Sequence, residues 1–64
     1  MRDEEVVKTI AESNYGLWSI IAQTAISQNR TEVFIGLMKD FITQNYSGAI
    51  NVFGKEIVNY VVKK

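Results

Sequence analysis

The 64-residue chain has no cysteine, no histidine and no proline. The absence of cysteine excludes disulfide bonds, thiolate nucleophiles and cysteine-ligated metals, and the absence of histidine removes the commonest general base and the commonest metal ligand. The acidic residues form no pair suited to general acid–base catalysis, and they lack the alternating spacing of a calcium loop. We therefore expect no catalytic residues, no metal or cofactor, and no enzymatic activity.

Neither sign of charge is in excess, because seven Lys and Arg residues balance seven Asp and Glu residues and the sequence pI is near 6.1. Nucleic-acid binding normally needs a positive field, so this balance disfavours a nucleic-acid partner. The longest charge-free stretch, residues 13–29, contains too many polar side chains to span a membrane. The acidic opening MRDEE does not match a secretory signal peptide, and we expect a cytoplasmic protein with no membrane span.

Apolar residues, by contrast, are abundant. They make up 47% of the chain and include three Phe, three Tyr and one Trp. A chain of this length buries only about 60% of the surface that it exposes when unfolded. Its apolar content exceeds what one such core can hide, so we expect residues 1–64 to form a single small domain that associates with itself.

The first part of the chain has one continuous apolar face. From Val6 to Ile26 the main apolar residues fall on one half of a helical wheel at about 100° per residue. This pattern predicts a single long helix from about Asp3 to Gln28, with acidic residues in its first turn where they interact favourably with the helix dipole. A kink or break at 14–16 is the alternative.

The apolar face shifts by roughly half a turn after Gln28, which predicts a turn at 29–31. The broad amphipathic pattern that follows predicts a second helix from about Glu32 to Gln44. A turn-like composition at 45–48 predicts another break. The last segment, 49–62, fits a third helix better than a β-hairpin around Gly54-Lys55, since the hairpin would leave neither of its faces cleanly apolar.

The segment 21–33, IAQTAISQNRTEV, is loosely similar to a helix-turn-helix motif. Its second helix would offer only Arg30 and Lys39 as cations, which are opposed by Glu32 and Asp40, so phosphate contacts would be weak. With a C-terminal hairpin the chain would instead be a miniature winged helix. DNA binding is therefore kept as the alternative function.

Five aliphatic residues lie outside the apolar stripes of the predicted helices. They are Ile20, Ile35, Ile42, Val58 and Val62. Surplus apolar groups in so small a chain indicate a contact between chains. Trp18, near the middle of the predicted long helix, is the candidate central anchor, because aromatic residues supply a large share of interface energy.

The predicted fold is therefore all-α, with one long helix and two shorter amphipathic helices that close a bundle by self-association. The alternative is an α+β fold in which helices precede a β-hairpin at 49–62. The predicted function is that of a small regulator, inhibitor or adaptor that binds proteins as a homodimer or larger homo-oligomer. On this interpretation, polar residues at Ile35 and Ile42 weaken assembly and spare the fold, whereas substitution of Leu37 or Phe41 unfolds the chain.

Overall fold

The computed structural model describes residues 2–64. Within this range all regular secondary structure is helical, and short turns join the helices. Their bounds are α1 Asp3–Ala11, α2 Leu17–Ser27, α3 Thr31–Gln44, α4 Tyr46–Phe53 and α5 Lys55–Val62. The predicted all-α class is confirmed. The alternative with a β-hairpin at 49–62 is wrong, because that segment is helical on both sides of Gly54.

The predicted long helix is wrong, and its stated alternative, a break at 14–16, is what the chain adopts. α1 ends at Ala11, and α2 begins after Gly16, whose backbone has φ 65° and ψ −128°. Glycine reaches this conformation readily, whereas other residues are strained in it. Folding back lets the apolar face of α1 pack against α2, which a straight rod could not do within one chain.

The helix predicted from about Glu32 to Gln44 is confirmed as α3, which begins one residue earlier, at Thr31. α2 and α3 are joined by a short turn in which Asn29 has a left-handed φ of 57°. The backbone N–H of Arg30 donates to the carbonyl of Ala25 across this turn at 2.7 Å. The predicted turn at 29–31 is therefore present, although Thr31 already belongs to α3.

The C-terminal segment contains two helices where one was predicted. Asn45 separates α3 from α4, and its side chain accepts the backbone N–H of Gly48 at 3.0 Å, which caps the new helix. The break between α4 and α5 lies at Gly54, where φ is 92°. Both breaks turn short amphipathic helices back toward a common core.

α3 is the central helix, since it packs against each of the other four. The largest fully buried side chains come from α1, α3 and α5. They are Val6, Val7, Ile10, Phe34, Met38, Val58 and Val61. The buried side of α3 is rotated by roughly 50° from the middle of its apolar arc, at 100° per residue. One edge of that arc is therefore left uncovered.

Three of the residues predicted to be surplus to the core are buried, and the rotation of α3 accounts for two of them. Ile35 and Ile42 lie on the covered side of α3, and Val58 lies on the covered side of α5. All three are buried within this single chain, so they do not form a free surface. In the opposite direction, Leu37 was predicted to be a core residue and is exposed on the uncovered edge.

Candidate protein interface

α2 packs with its small side chains inward and most of its large aliphatic side chains outward. Ala22 and Ala25 are its buried residues. Leu17 is 74% exposed, Ile20 is 59% exposed and Ile21 is 39% exposed. A helix that packs only against its own chain normally buries its large aliphatic side chains and not its alanines, because the hydrophobic free energy scales with the apolar area removed from water. The outward side of α2 is therefore a candidate binding surface.

The uncovered edge of α3 continues this surface. Val33 and Leu37 lie one helical turn apart on that edge and are 56% and 44% exposed. We call the surface formed by Leu17, Ile20, Ile21, Val33 and Leu37 the α2–α3 face. An apolar patch that extends over two neighbouring helices is a typical feature of protein interaction sites.

A shallow groove of about 200 Å³ runs between the two helices of the α2–α3 face. Ile21, Val33 and Leu37 form its apolar walls, and Thr24 and Gln28 add neutral polar groups that can form hydrogen bonds. This combination of an apolar groove with a few neutral polar groups suits a packed side chain from a partner better than it suits an ion.

The α2–α3 face is electrostatically neutral along the whole of α2. No residue from Leu17 to Ser27 is charged, and the charged residue that lines the groove is Arg30, in the turn. Burying an unpaired charge is costly, and the core of a protein interface is correspondingly depleted of charged residues. The charge-free stretch 13–29 of the sequence thus includes the whole of α2, the helix whose large aliphatic side chains are exposed.

Trp18 lies on the inward side of α2, within a cluster of aromatic rings. Its ring centroid is 5.0 Å from that of Phe53, 5.3 Å from that of Phe41 and 5.8 Å from that of Phe34. The contacts with Phe34 and Phe53 are edge-to-face, a favoured geometry for aromatic pairs. Trp18 thus joins α2 to α3 and α4. Its role as the anchor of an interface stays a prediction.

The six predicted interface residues are divided among three environments. Ile20 lies on the α2–α3 face. Val62 is 53% exposed, but it lies on α5 and does not line the α2–α3 groove. The remaining four, Trp18 and the three buried aliphatic residues, pack inside the chain.

Sequence reasoning missed Leu17, Ile21, Val33 and Leu37 as surface residues because they lie on the apolar stripes of their helices. A helical wheel shows which residues share a side, but not how much of that side the other helices cover. The signal that pointed to α2 was its lack of charge. No comparable signal identified Val33 and Leu37.

A cluster of three polar side chains, Asp3, Tyr60 and Lys64, joins the N-terminal and C-terminal helices. The phenol of Tyr60 donates to Oδ1 of Asp3 at 2.6 Å, and Nζ of Lys64 donates to the same oxygen at 2.7 Å. The bond from Lys64, followed by that from Tyr60, lowers the pKa of Asp3 below its ordinary value of 3.8. The bond to Asp3 in turn raises the pKa of Tyr60 and that of Lys64. This cluster ties α1 to α5.

The cluster predicts a specific dependence of stability on pH. Because the pKa of Asp3 is lowered by folding, its contribution is present above about pH 3.8 and is lost as pH falls through the folded-state value. Tyr60 and Lys64 have raised pKa values, so their contribution is present below about pH 10 and is lost as pH rises through the folded-state values. Asp3→Asn should therefore flatten both arms of the profile, measured as the free energy of unfolding in urea from pH 2 to pH 11.

Glu12→Gln is the matched control for this prediction, since Glu12 is an exposed carboxylate at the other end of α1. This control should leave the profile close to that of the unmodified chain. If Asp3→Asn and Glu12→Gln gave the same profile, the cluster would contribute nothing measurable to stability.

The exposed side of α3 bears on the DNA-binding alternative. Glu32, Lys39 and Asp40 are exposed there, so the helix that would read DNA carries more negative than positive charge. The winged-helix form of this alternative required a C-terminal hairpin, and α4 and α5 occupy that segment instead. Nothing in this geometry favours nucleic acid over protein as a partner.

Two features that would point to other functions, a metal-binding cluster and a membrane-spanning helix, are absent from the described part of the chain. Among residues 2–64, no group of three or more acidic side chains is placed to hold a metal ion. None of the described helices has both the length and the hydropathy that crossing a bilayer would require.

Comparisons with known proteins add no family to these observations. No family model matches the chain, and searches of curated proteins and of solved structures find no significant match. The α2–α3 face is therefore the feature of this chain that bears on its function.

Proposed function

We propose that the chain is a small protein-binding regulator or adaptor that assembles as a homodimer, with a second copy docking on the α2–α3 face. The observation that carries this proposal is the inverted packing of α2, which buries two alanines and exposes Leu17, Ile20 and Ile21 beside Val33 and Leu37. Covering these five aliphatic groups would stabilise the assembly, because a fully buried aliphatic side chain contributes roughly 1.5 to 3 kcal/mol.

Charge favours a second copy as the partner on this face. In a two-fold symmetric dimer the same patch is used by both subunits, so a charge near the symmetry axis would face its own copy and be repelled. α2 carries no charge from Leu17 to Ser27, and the whole chain has a formal net charge of zero. The α2 side of this face can therefore meet its copy without like-charge repulsion.

The size of the molecule is compatible with such a contact. A stable interface buries about 800 Å² on each partner. The accessible surface of the chain is 4321 Å², so a dimer would cover somewhat less than a fifth of it. The adjoining outer sides of α2 and α3, helices of 11 and 14 residues, are the apolar part of the surface that can supply this area.

The test compares two valines that are almost equally exposed, Val33 on the α2–α3 face and Val62 on α5. Each valine is replaced by glutamine. Because glutamine is uncharged, the net charge and the interaction with the helix dipole stay the same, and because it favours helix, the helices are kept. We expect Val33→Gln to weaken dimerisation by about a hundredfold, because both copies lose a buried valine, and Val62→Gln to change it little. Sedimentation equilibrium over a wide range of protein concentration measures both effects.

Circular dichroism of the same samples checks that both variants keep the helix content of the unmodified chain. Dissociation by Val62→Gln with no effect of Val33→Gln would move the interface to α5, the helix that carries Val62. An unmodified protein that remains a monomer throughout the concentration range would refute the homodimer.

A further inference from the structure

α1 is attached to the rest of the chain mainly by apolar packing. Val6, Val7 and Ile10 are fully buried where α1 packs against α2 and α3. The polar links are few: Asp3 binds Tyr60 of α5 and the C-terminal Lys64, and the side chain of Gln23 donates to the carbonyl of Ala11 at 3.0 Å. We call the surface that α1 covers on α2, α3 and α5 the α1 cleft.

The connection between α1 and α2, residues 12–16, can be replaced by helix at little cost in hydrogen bonding. In a continuous helix the N–H of Tyr15 would donate to the carbonyl of Ala11, the acceptor that Gln23 now uses. This change would separate the edge-to-face pair of Tyr15 and Phe53, whose ring centroids are 6.4 Å apart. The residue that favours the folded-back form is Gly16, with its positive φ.

The pattern of the sequence is compatible with both forms. From Val6 to Ile26 the main apolar residues, Ile20 excepted, share one side of a continuous helix. Leu17, which is exposed in the folded-back form, would lie on the same side as Val6 and Ile10 in the extended form. The sequence therefore encodes a long amphipathic helix that the single chain does not form.

We propose that α1 also docks in the α1 cleft of a second copy, with 12–16 becoming helical so that α1 and α2 form one helix. The cleft residues are identical in the two copies, so every buried contact of α1 and both bonds of Asp3 re-form between chains. This exchange uses buried surfaces and is independent of contact through the α2–α3 face.

The exchanged dimer has a distinctive shape. A helix over 3–27 is about 37 Å long at 1.5 Å per residue. The longest dimension of the folded-back chain is 28 Å. Exchange therefore produces an elongated dimer whose two long helices connect two reconstituted cores, and a protein concentration high enough for chains to meet drives its formation.

Gly16→Ala tests the hinge. Alanine is strained at the φ and ψ of Gly16 and is a better helix former than glycine, so the substitution disfavours folding back and favours the continuous helix. We expect dimerisation to tighten about tenfold for each hinge and hence about a hundredfold for the dimer, with an increase in helix content by circular dichroism. Sedimentation velocity should show an elongated species.

Gly36→Ala is the matched control, because Gly36 is an exposed glycine within α3 and a Cβ added there meets nothing within 4 Å. It should leave the dimerisation constant unchanged. Gly16→Ala combined with Val33→Gln should still dimerise, which separates exchange from docking through the α2–α3 face. A Gly16→Ala protein that is merely less stable, with no gain in dimerisation or helix content, would overturn the exchange.

A second experiment identifies which chain α1 occupies, and it does not depend on Gly16→Ala folding well. Asp3→Lys alone and Lys64→Asp alone each place like charges together in a folded-back monomer. In an exchanged heterodimer, position 3 of each chain lies beside position 64 of the other chain. One core then pairs the lysine introduced by Asp3→Lys with the aspartate introduced by Lys64→Asp. The other core keeps the natural pair of Asp3 and Lys64.

Native mass spectrometry of an equimolar mixture, with Val33→Gln in both chains to suppress docking through the α2–α3 face, measures the heterodimer fraction after joint unfolding and refolding at high concentration. Exchange predicts a fraction above the statistical half for this mixture, falling to half when salt screens the charges. A fraction of one half at low salt, or no dimer at all, would show that α1 stays on its own chain.

Discussion

Replacing Ile35 with alanine is expected to remove about half of the stability of the fold. Ile35 is 4% exposed and packs on the side of α3 that the other helices cover. Truncating a buried isoleucine costs about 2 to 5 kcal/mol, because the forfeited transfer free energy adds to that of the cavity left behind. A domain of this length has a total stability of about 3 to 10 kcal/mol. Urea unfolding followed by circular dichroism measures the loss.

Leu37→Ala is the matched control at protein concentrations where the chain is monomeric, since Leu37 lies two residues along the same helix, has the same number of carbon atoms and is 44% exposed. We expect it to cost about 1 kcal/mol or less, because its side chain is already partly hydrated. Equal losses from the two substitutions would mean that α3 is rotated differently about its axis. A larger loss from Leu37→Ala would restore the assignment made from the sequence, in which Leu37 belonged to the core and Ile35 to the surface.

Replacing Trp18 with alanine is the other change with a large expected effect. Trp18 contacts three phenylalanine rings, from α3 and α4, so its removal opens a cavity where three helices meet. The expected cost is about 3 kcal/mol, at the lower end for large aromatic residues because Trp18 is only partly buried. Trp18→Phe should cost less, since an aromatic ring remains. Thermal unfolding followed by far-ultraviolet circular dichroism measures both variants.

Tyr46→Ala provides the control for Trp18, because Tyr46 is an aromatic residue that is mostly exposed at the start of α4. It should change stability by less than about 1 kcal/mol. A Trp18→Ala protein that stays fully folded but no longer dimerises would show instead that Trp18 acts chiefly as an interface anchor, as its position in the sequence suggests.

The helical segments themselves could be predicted from the period of their apolar residues. α3 was located within one residue of its start, and the turn at 29–31 followed from a shift in the phase of the apolar face. The break at Gly16 could not be decided in the same way, because the pattern from Val6 to Ile26 fits one helix as well as two. Packing against α3 favours the folded-back form, and a helical wheel does not include that packing.

The candidate site was harder to predict than the helices. Ile20 and Ile35 were both predicted to lie outside the core; Ile20 is exposed, whereas Ile35 is buried. The error has one physical origin, a rotation of α3 by roughly 50° that exposes Val33 and Leu37 and covers the opposite edge of the apolar arc. Such a rotation is set by four neighbouring helices together, so no window along the chain contains the information.

The two proposed contact modes would together give the chain a simple route to regulation by concentration. Docking through the α2–α3 face uses side chains that are already exposed, so it needs no rearrangement of the fold. Exchange of α1 needs the hinge to open, which makes it slower than docking, because α1 must first leave its cleft. The two modes should therefore differ in rate as well as in their response to Val33→Gln.

The proposed contact between copies is tested most directly by a dilution series of the unmodified protein, followed by two-dimensional ¹⁵N NMR. Backbone amides whose surroundings change on association shift or broaden as the concentration rises. If copies meet on the α2–α3 face, the concentration-dependent amides should cluster around Leu17, Ile20, Ile21, Val33 and Leu37, while those around Val62 stay constant. Changes centred on α5, or a spectrum that is the same at the lowest and the highest concentration, would contradict docking on the α2–α3 face.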